Sequence, residues 1–519
     1  MTAVENLVQR INVGDSLTRT AALRPTRPAL VDGDRRWTYA EFNAWVNRLA
    51  HGLAARGYVR GEALGLASAN SAEFLAVYYA CAKLGVVCVP TNLGWRPDEV
   101  AYVLGHSRAR GIVVEAPLLD ALRDGIPDGV EVIVAPGPGP APDGAPTLDA
   151  VLVDDPSEPE AHVEDADALT YLYTSGTTSF PKGVVGSHKA IYLGSMSGAL
   201  EAGWNCDDRF VAMMPMFHTA QLNAFCTPAV LVGATIHVHR GFDPGAFLDT
   251  IERERITQVF GLPMMFRAAL EHPSFADRDL SSLKRAVYAM APMPDALIRA
   301  CLEGFGCDFA LLFGQTEMSP VTTLFRPEHQ LTHTGAVGTP IVGVQVGIMA
   351  EDGTLLPAGE LGEIVYRGPS TMNGYLRDPD ATAEAFAHGW FHSGDVGRFD
   401  DDGVLWFADR YKDVIKTGGE NVASIEVEKA VYAADDRVAE VVVIGLPHER
   451  WSEAVTAVVV PKPGETVDEG ALLAAVRAGL DGYKVPKSVI VVDELPRTST
   501  GKIRKNVVRE AHADHYGGR

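Results

Sequence analysis

Cysteine is scarce. The chain of 519 residues holds six, Cys81, Cys88, Cys206, Cys226, Cys301 and Cys307, with no CxxC pair and no zinc-like Cys/His spacing. A disulfide framework and a Cys-based metal site are therefore not expected, and the thiols read as reduced and mostly buried. Long apolar runs are missing too. The most tempting uncharged stretch, Thr219 to Ile236, is broken by Gln221, Asn223, Thr227 and Pro228 and reads as buried core, so no integral membrane segment is expected. The first ten residues carry charges and no apolar core, so no secretory signal is expected and the chain reads as cytoplasmic. Basic residues are outnumbered, 45 Lys and Arg against 67 Asp and Glu, for a net charge of −22, and no run of five or more basic residues occurs. A nucleic-acid or anionic-membrane partner is thereby excluded. No repeat of solenoid or propeller period is present. What remains is ordinary globular composition, 47% hydrophobic and 22% charged, with length enough for several domains. Any anionic substrate must be met by local positive groups.

Apolar periodicity predicts helices over Tyr39–Arg56 and Ser71–Leu84, and strands over Val86–Val89 and Gly111–Val114. The segment Pro136–Pro146 (PGPGPAPDGAP) can be neither helix nor central strand. Further strand-like runs at Ala168–Tyr173, Gln258–Phe260, Arg285–Met290 and Phe309–Phe313 lead into Gly, Ser, Thr or Pro, with helical patterns between them. That alternation predicts an α/β fold with a largely parallel sheet, whose ligands gather at the carboxyl ends of the strands. From about residue 343 to 407 the texture changes to short strands with Asp352-Gly353 and Asp402-Gly403 turns. After Asp409–Asp413 a final stretch alternates helix and strand on its own.

The strongest local signal is Tyr173-Thr174-Ser175-Gly176-Thr177-Thr178-Ser179-Phe180-Pro181-Lys182-Gly183, directly after a predicted strand. Glycine and small hydroxyl residues let successive backbone N–H groups approach an anion, hydroxyls add donors, and Lys182 adds a point charge. Most Ser/Thr clusters are plain surface loops, but an eleven-residue string of this kind after a strand favours anion binding. It is not a Walker A loop, because Pro181 stands at the second glycine position and no Ser or Thr follows Lys182.

The string resembles the phosphate loop Y-T-S-G-T-T-G-x-P-K-G of the adenylate-forming (ANL) superfamily of acyl-CoA synthetases, adenylation domains and beetle luciferases. The likeness extends over nearly the whole chain, with Ser179 the one departure in the loop. It implies a large N-terminal AMP-binding domain over 1–408, of parallel and mixed sheets flanked by helices with a small β-barrel-like subdomain. A hinge over 409–412 and a small mobile α+β domain over 413–519 would follow. It also implies two half-reactions: a carboxylate attacks the α-phosphate of Mg·ATP to give acyl-AMP and pyrophosphate, then a thiol attacks the acyl-AMP.

The family's roles transfer residue by residue. In Phe313-Gly314-Gln315-Thr316-Glu317, the resemblance puts adenine against Phe313, Gly314 and Gln315 beside the nucleotide, Thr316 on the α-phosphate and Glu317 on Mg²⁺. A carboxylate oxygen suits that hard cation. Thr174, Ser175, Gly176, Thr177, Thr178 and Lys182 match the phosphate contacts, and Ala291 and Pro292 lie at the nucleotide. Asp395, in His392-Ser393-Gly394-Asp395, matches the carboxylate that accepts the ribose hydroxyls, and Arg410 a second ribose or phosphate contact. An isolated lysine is ordinarily a solvated charge. Lys502, closing Pro496-Arg497-Thr498-Ser499-Thr500-Gly501-Lys502, matches instead the lysine that bridges the acyl carboxylate and the α-phosphate. Lys412 matches the pivot, and Lys416, Gly418 and Gly419 match the CoA-binding face used for thioester formation.

Three features favour free coenzyme A as acceptor. Only seventeen residues follow Lys502, so a fused carrier domain is not expected. No Asp follows Phe217 to pair with an amino group, and His218 matches the histidine at the acyl-tunnel mouth of acyl- and aryl-CoA synthetases. Gly418-Gly419-Glu420-Asn421-Val422 resembles acyl-CoA synthetases, the fatty-acid–CoA ligase branch. Transfer to a carrier-protein phosphopantetheine is the alternative, and a homodimer is left open. The resemblance puts Phe217, His218, Gln221, Leu222, Gly261, Leu262, Tyr288, Met290 and Met318 around the acid. That wall is apolar and neutral, which argues for a medium- or long-chain fatty acid or a bulky cyclic acid rather than a dicarboxylate. Ala289 and Met290 stand where the family has glycines.

Overall fold

The structure is a computed structural model and describes residues 3–138, 145–174, 181–290, 293–497 and 503–517. The chain divides into two compact units, Met1–Val346 with Tyr366–Phe391, and Gly347–Val365 with His392–Arg519. The stretch 409–412 read as a hinge lies within the second.

The first unit is built on two sheets. In the nine-stranded sheet six neighbouring strands run parallel: Asp308–Gly314, Arg285–Tyr288, Gln258–Gly261, Arg209–Ala212, Thr235–Val238 and Pro28–Asp32. Antiparallel strands finish it, Val321–Phe325 and Thr339–Pro340 at one edge and Arg35–Thr38 at the other. The six-stranded sheet runs Glu131–Ala135, Ala109–Glu115, Ala63–Ala67, Val87–Pro90 and Ala168–Thr174 in parallel, then Lys182–Ser187 antiparallel. Parallel strands covered on both faces need near-continuous apolar sequence. ALGLA and VCVP supply it, with every residue buried.

Helix Ala72–Leu84 begins where the Ser71 hydroxyl accepts the Phe74 amide and ends at Gly85, φ 69°. It is apolar around its circumference and buried at every position, because it packs against strands of both sheets as well as helices Val13–Leu23 and Tyr39–Ala55. Its two charges are matched. Glu73 pairs with Arg35, and the Lys83 ammonium donates to Glu158 Oε2 (2.6 Å), Asn47 Oδ1 (2.6 Å), Asn43 Oδ1 (2.7 Å) and Thr18 Oγ1 (2.9 Å). Without those acceptors a buried ammonium would cost several kcal/mol. The uncharged stretch after His218 folds as Thr219–Gln221, a π-helical turn Leu222–Cys226 and helix Thr227–Val232, nearly all of it buried. Among the described residues no helix is long and apolar enough to cross a membrane.

The segment read as barrel-like forms a four-stranded sheet ordered Gln345–Met349, Gly362–Arg367, Phe391–Phe399 and Leu405–Arg410. In the second unit, the hairpin Val438–His448/Ser452–Pro461 carries Ile415–Thr417, Glu420–Val422 and the parallel strand Ser488–Val491. Successive strand residues face opposite sides. Val441 and Val443 pack with Val427, Val431 and Leu472 of the helices on one side, while Val442, Ile444 and Leu446 pack with Leu495 and Val508 on the other.

Two histidines are buried neutral in the first unit. His188 accepts the Val13 amide at Nδ1 (3.2 Å), and burial pushes its pKa from 6.5 down to about 3. Burial likewise takes His237 down to about 4, against a smaller opposing pull from Glu254. Both values are depressed, so below pH 6.5 the unfolded chain takes up protons that the folded chain refuses. Stability is full above that pH and falls below it by about 1.4 kcal/mol per pH unit for each histidine. Denaturant unfolding of the His188→Gln variant between pH 7 and 5 should show a pH slope shallower than wild type by about that amount; an unchanged slope contradicts it.

Candidate active site

Ser175, Gly176, Thr177, Thr178, Ala291, Pro292 and Lys502 lie outside the described residues. The flanks of the Ser/Thr loop are in place. Strand Ala168–Thr174 ends at Thr174, which pairs directly with Lys182, the first residue of the antiparallel return strand. The ends of the loop are thus closed by backbone pairing.

The return strand is held on its other edge by residues 373–376. Asn373 donates to the Val185 carbonyl (2.9 Å), Val185 to the Gly374 carbonyl (3.0 Å) and Leu376 to the Gly183 carbonyl (2.8 Å). Next to them the Met372 amide donates to the Glu317 carbonyl (2.7 Å), tying in the turn Thr316–Met318. Lys182 and Glu317 are brought together through a residue that sequence reasoning missed. The Lys182 ammonium lies over the Tyr375 ring, 4.8 Å from its centroid, and the Tyr375 hydroxyl donates to Glu317 Oε1 at 3.1 Å. A lone Tyr in Met372-Asn373-Gly374-Tyr375-Leu376 shows no local pattern. Only the pairing of its segment with strand Lys182–Ser187 reveals it.

The Phe313–Glu317 motif turns sharply. Gly314 has φ 155°, and a Cβ there would sit 2.0 Å from the Pro320 carbonyl oxygen, so only glycine fits. The Gln315 amide donates to that same carbonyl (2.9 Å), and the Phe313 carbonyl accepts from the Thr322 hydroxyl (3.1 Å). Glu317 is buried, as is the side-chain nitrogen of Gln315, which has no acceptor among the described residues. A carboxylate whose described side-chain partner is a neutral hydroxyl, on a ring that also faces an ammonium, suits a polyphosphate with a hard cation. Magnesium takes few protein carboxylates and completes its shell with phosphate and water. Glu317 fits that use, although the described residues hold no cluster of three or more His, Cys, Asp or Glu.

In the second unit, Asp395 and Arg410 are cross-strand partners on Phe391–Phe399 and Leu405–Arg410. The Arg410 Nε lies 2.7 Å from Asp395 Oδ1, with Asp395 buried and Arg410 exposed. Asp409, beside them, accepts the Arg410 amide (2.8 Å) and the Ser424 amide (2.5 Å) and so fixes the strand end. Burial lowers the pKa of the Lys412 ammonium. Lys416 is exposed, and Gly418 and Gly419 adopt φ 60° and 90°; a Cβ on Gly418 would meet the Trp451 ring at 3.0 Å.

The residues expected around the acid all lie in the first unit. Gln221 is buried with its Oε1 accepting the Met214 amide (3.1 Å), and the Tyr288 hydroxyl donates to Gln330 Oε1 (2.8 Å), where burial raises the phenol pKa. Both polar ends are therefore engaged within the protein. His218 Nδ1 accepts the Ala220 amide (3.2 Å) and caps the turn that follows, with the ring half-exposed beside the half-exposed Phe217. Leu222, Gly261, Leu262 and Met318 are buried apolar positions. Strand Arg285–Tyr288 stops two residues short of Met290, because Met290 takes φ 69°, in the left-handed region that glycine favours.

The sequence profile described as AMP-binding enzyme matches residues 17–376, and that of the AMP-binding enzyme C-terminal domain matches 426–502. A feruloyl-CoA synthase of Amycolatopsis is 37% identical over 500 residues, 96% of this chain and 98% of the relative. An indoleacetate–CoA ligase of Aromatoleum aromaticum is 34% identical over 96% of this chain and 98% of its own. The crystal structure of ATP-bound MatB from Rhodopseudomonas palustris superposes with a TM-score of 0.87 at 29% identity, covering 98% of this chain and 100% of that one.

A methionine in a left-handed conformation carries roughly 1–2 kcal/mol of strain that glycine does not. The usual order of substitution should therefore invert. The Met290→Gly variant is expected to be more stable than Met290→Ala by about 1 kcal/mol in denaturant unfolding, and equal or reversed stabilities contradict the assignment.

Proposed function

This chain belongs to the AMP-binding enzyme family, and we propose that it activates an apolar monocarboxylic acid, aromatic or otherwise bulky and cyclic or a fatty acid, for transfer to coenzyme A. The chain is an AMP-forming acid–thiol ligase that uses ATP and CoA.

The observation that supports the apolar acid is the state of the polar side chains in its wall. Gln221 and Tyr288 already bond Met214 and Gln330, and no lysine or arginine is among the wall positions. A second carboxylate would lose its water and find no cation. The feruloyl-CoA synthase and the indoleacetate–CoA ligase act by name on acids with one carboxylate and an aromatic body, the class this wall would hold.

In the first half-reaction a carboxylate oxygen attacks the α-phosphorus and the bond to the pyrophosphate oxygen breaks. Negative charge grows on the leaving group and the α-phosphoryl oxygens. Cations and donors fixed there in advance lower the barrier without reorganising. Lys182 and the Gln315 amide are assigned to the phosphoryl oxygens, Thr316 to the α-phosphate, and Lys502 to the acyl carboxylate and the α-phosphate together. Glu317 would hold Mg²⁺, which when bound neutralises phosphate charge. Phe313 and Gly314 are assigned to adenine, and Asp395 and Arg410 to the ribose. In the second half-reaction the thiol attacks the acyl carbon and AMP leaves. Lys416, Gly418 and Gly419 are assigned to that step, His218 to the acyl entrance and Lys412 to the pivot of a C-terminal domain that turns between the steps.

Pyrophosphate release on a panel of acids tests the acid class. Cinnamate-like, arylacetic and fatty acids should turn over and malonate should not, and Met290→Gly should widen the accepted range; preference for malonate overturns the reading. Activity on free CoA should exceed that on a carrier protein. Lys502→Ala should slow acyl-AMP formation by about 100-fold or more while leaving thioesterification of supplied acyl-AMP within a few-fold. Equal loss of both half-reactions removes the role given to Lys502.

A further inference from the structure

Lys182 and Glu317 carry opposite charges, approach the same tyrosine and do not pair. Among the described residues no ion pair joins them. The ammonium instead lies over the face of Tyr375 at 4.8 Å, and the carboxylate is held by the hydroxyl of that ring at 3.1 Å. We propose that Tyr375 is a positioning residue that keeps Lys182 and Glu317 from closing a salt bridge on each other, so that both remain open to a nucleoside triphosphate. The inference rests on the reading of this site as one that binds ATP.

An ammonium and a buried carboxylate within reach attract strongly where water is partly excluded. A closed pair would neutralise the charge meant for phosphate and occupy the oxygens meant for a cation, and it would have to break before either ligand bound. One ring that engages both gives each group a weaker substitute for the other. The face offers the ammonium a cation–π contact, and the hydroxyl offers the carboxylate one donor. Both substitutes can be given up when stronger partners arrive.

The backbone that carries the ring is fixed in place. The Tyr375 amide donates to the Thr382 hydroxyl (2.9 Å), and the residues on either side pair with strand Lys182–Ser187 through Val185 N to Gly374 O and Leu376 N to Gly183 O. Thr382 is in turn held by its own bond to the Asp378 carbonyl (2.7 Å). The spacer therefore sits on the same backbone ladder as the lysine it restrains, and the Met372 amide joins that ladder to Glu317.

The test is equilibrium binding of ATP in EDTA, without turnover, on four full-length chains: wild type, Tyr375→Leu, Glu317→Gln and the double variant. If the ring holds the charges apart, Tyr375→Leu lets Lys182 and Glu317 pair and weakens metal-free ATP binding by about tenfold. In the Glu317→Gln background no pair can form, so the same Tyr375→Leu change should cost less than about twofold. Tyr375→Phe, which keeps the ring, should bind metal-free ATP within about twofold of wild type. A Tyr375→Leu penalty equal in both backgrounds makes the residue a packing element and overturns the proposal, as does the absence of any penalty. If wild type binds no ATP with or without magnesium, the functional reading itself fails, and this inference with it.

Discussion

Strand Lys182–Ser187 is gripped along both edges, and the placement of Lys182, Tyr375 and Glu317 hangs from that grip. On one edge its pairing with Ala168–Thr174 sets Thr174 opposite Lys182 and closes the ends of the Ser/Thr loop. On the other edge residues 373–376 hold it and bring Tyr375 onto the lysine. One further backbone bond, from Met372 to Glu317, adds the carboxylate. Side chains from segments more than a hundred residues apart are thereby placed by peptide hydrogen bonds, the least adjustable contacts a protein has.

The same division of labour explains how a chain of net charge −22 manages a polyanionic substrate. Overall charge governs the long-range field, but a bound phosphate responds to the donors it touches. Interior charges are handled with equal economy of distance. Lys83 and Glu73 lie on a fully buried helix and each meets its counter-charge directly, with Asn43, Asn47 and Thr18 completing the lysine's shell. His188 and His237 solve the problem differently, by staying neutral.

Much of the architecture was legible because its signals are local. The helix read over Tyr39–Arg56 is Tyr39–Ala55, and that over Ser71–Leu84 is Ala72–Leu84 with Ser71 as cap, since periodicity and capping act within a few residues. The strand read over Arg285–Met290 ends at Tyr288. A run of apolar letters does not disclose that Met290 occupies a glycine-like conformation. Gln221 and Tyr288 were expected beside the acid from the family resemblance, but their hydrogen-bond partners Met214 and Gln330 are matters of packing, invisible to spacing. Tyr375 had no signal at all.

By itself, the sequence determined the α/β alternation and the family, because motif order and periodicity are properties of the chain read in one dimension. It also established that an acidic protein would need locally placed cations. Only the tertiary structure decided which side chains meet. The ammonium of Lys182 rests on an aromatic ring rather than on a carboxylate, Glu317 is held by a hydroxyl, and Met290 bends where glycine would be usual. Those outcomes depend on backbone pairing and packing between distant segments, and a linear pattern does not encode the distance between residues 182, 317 and 375.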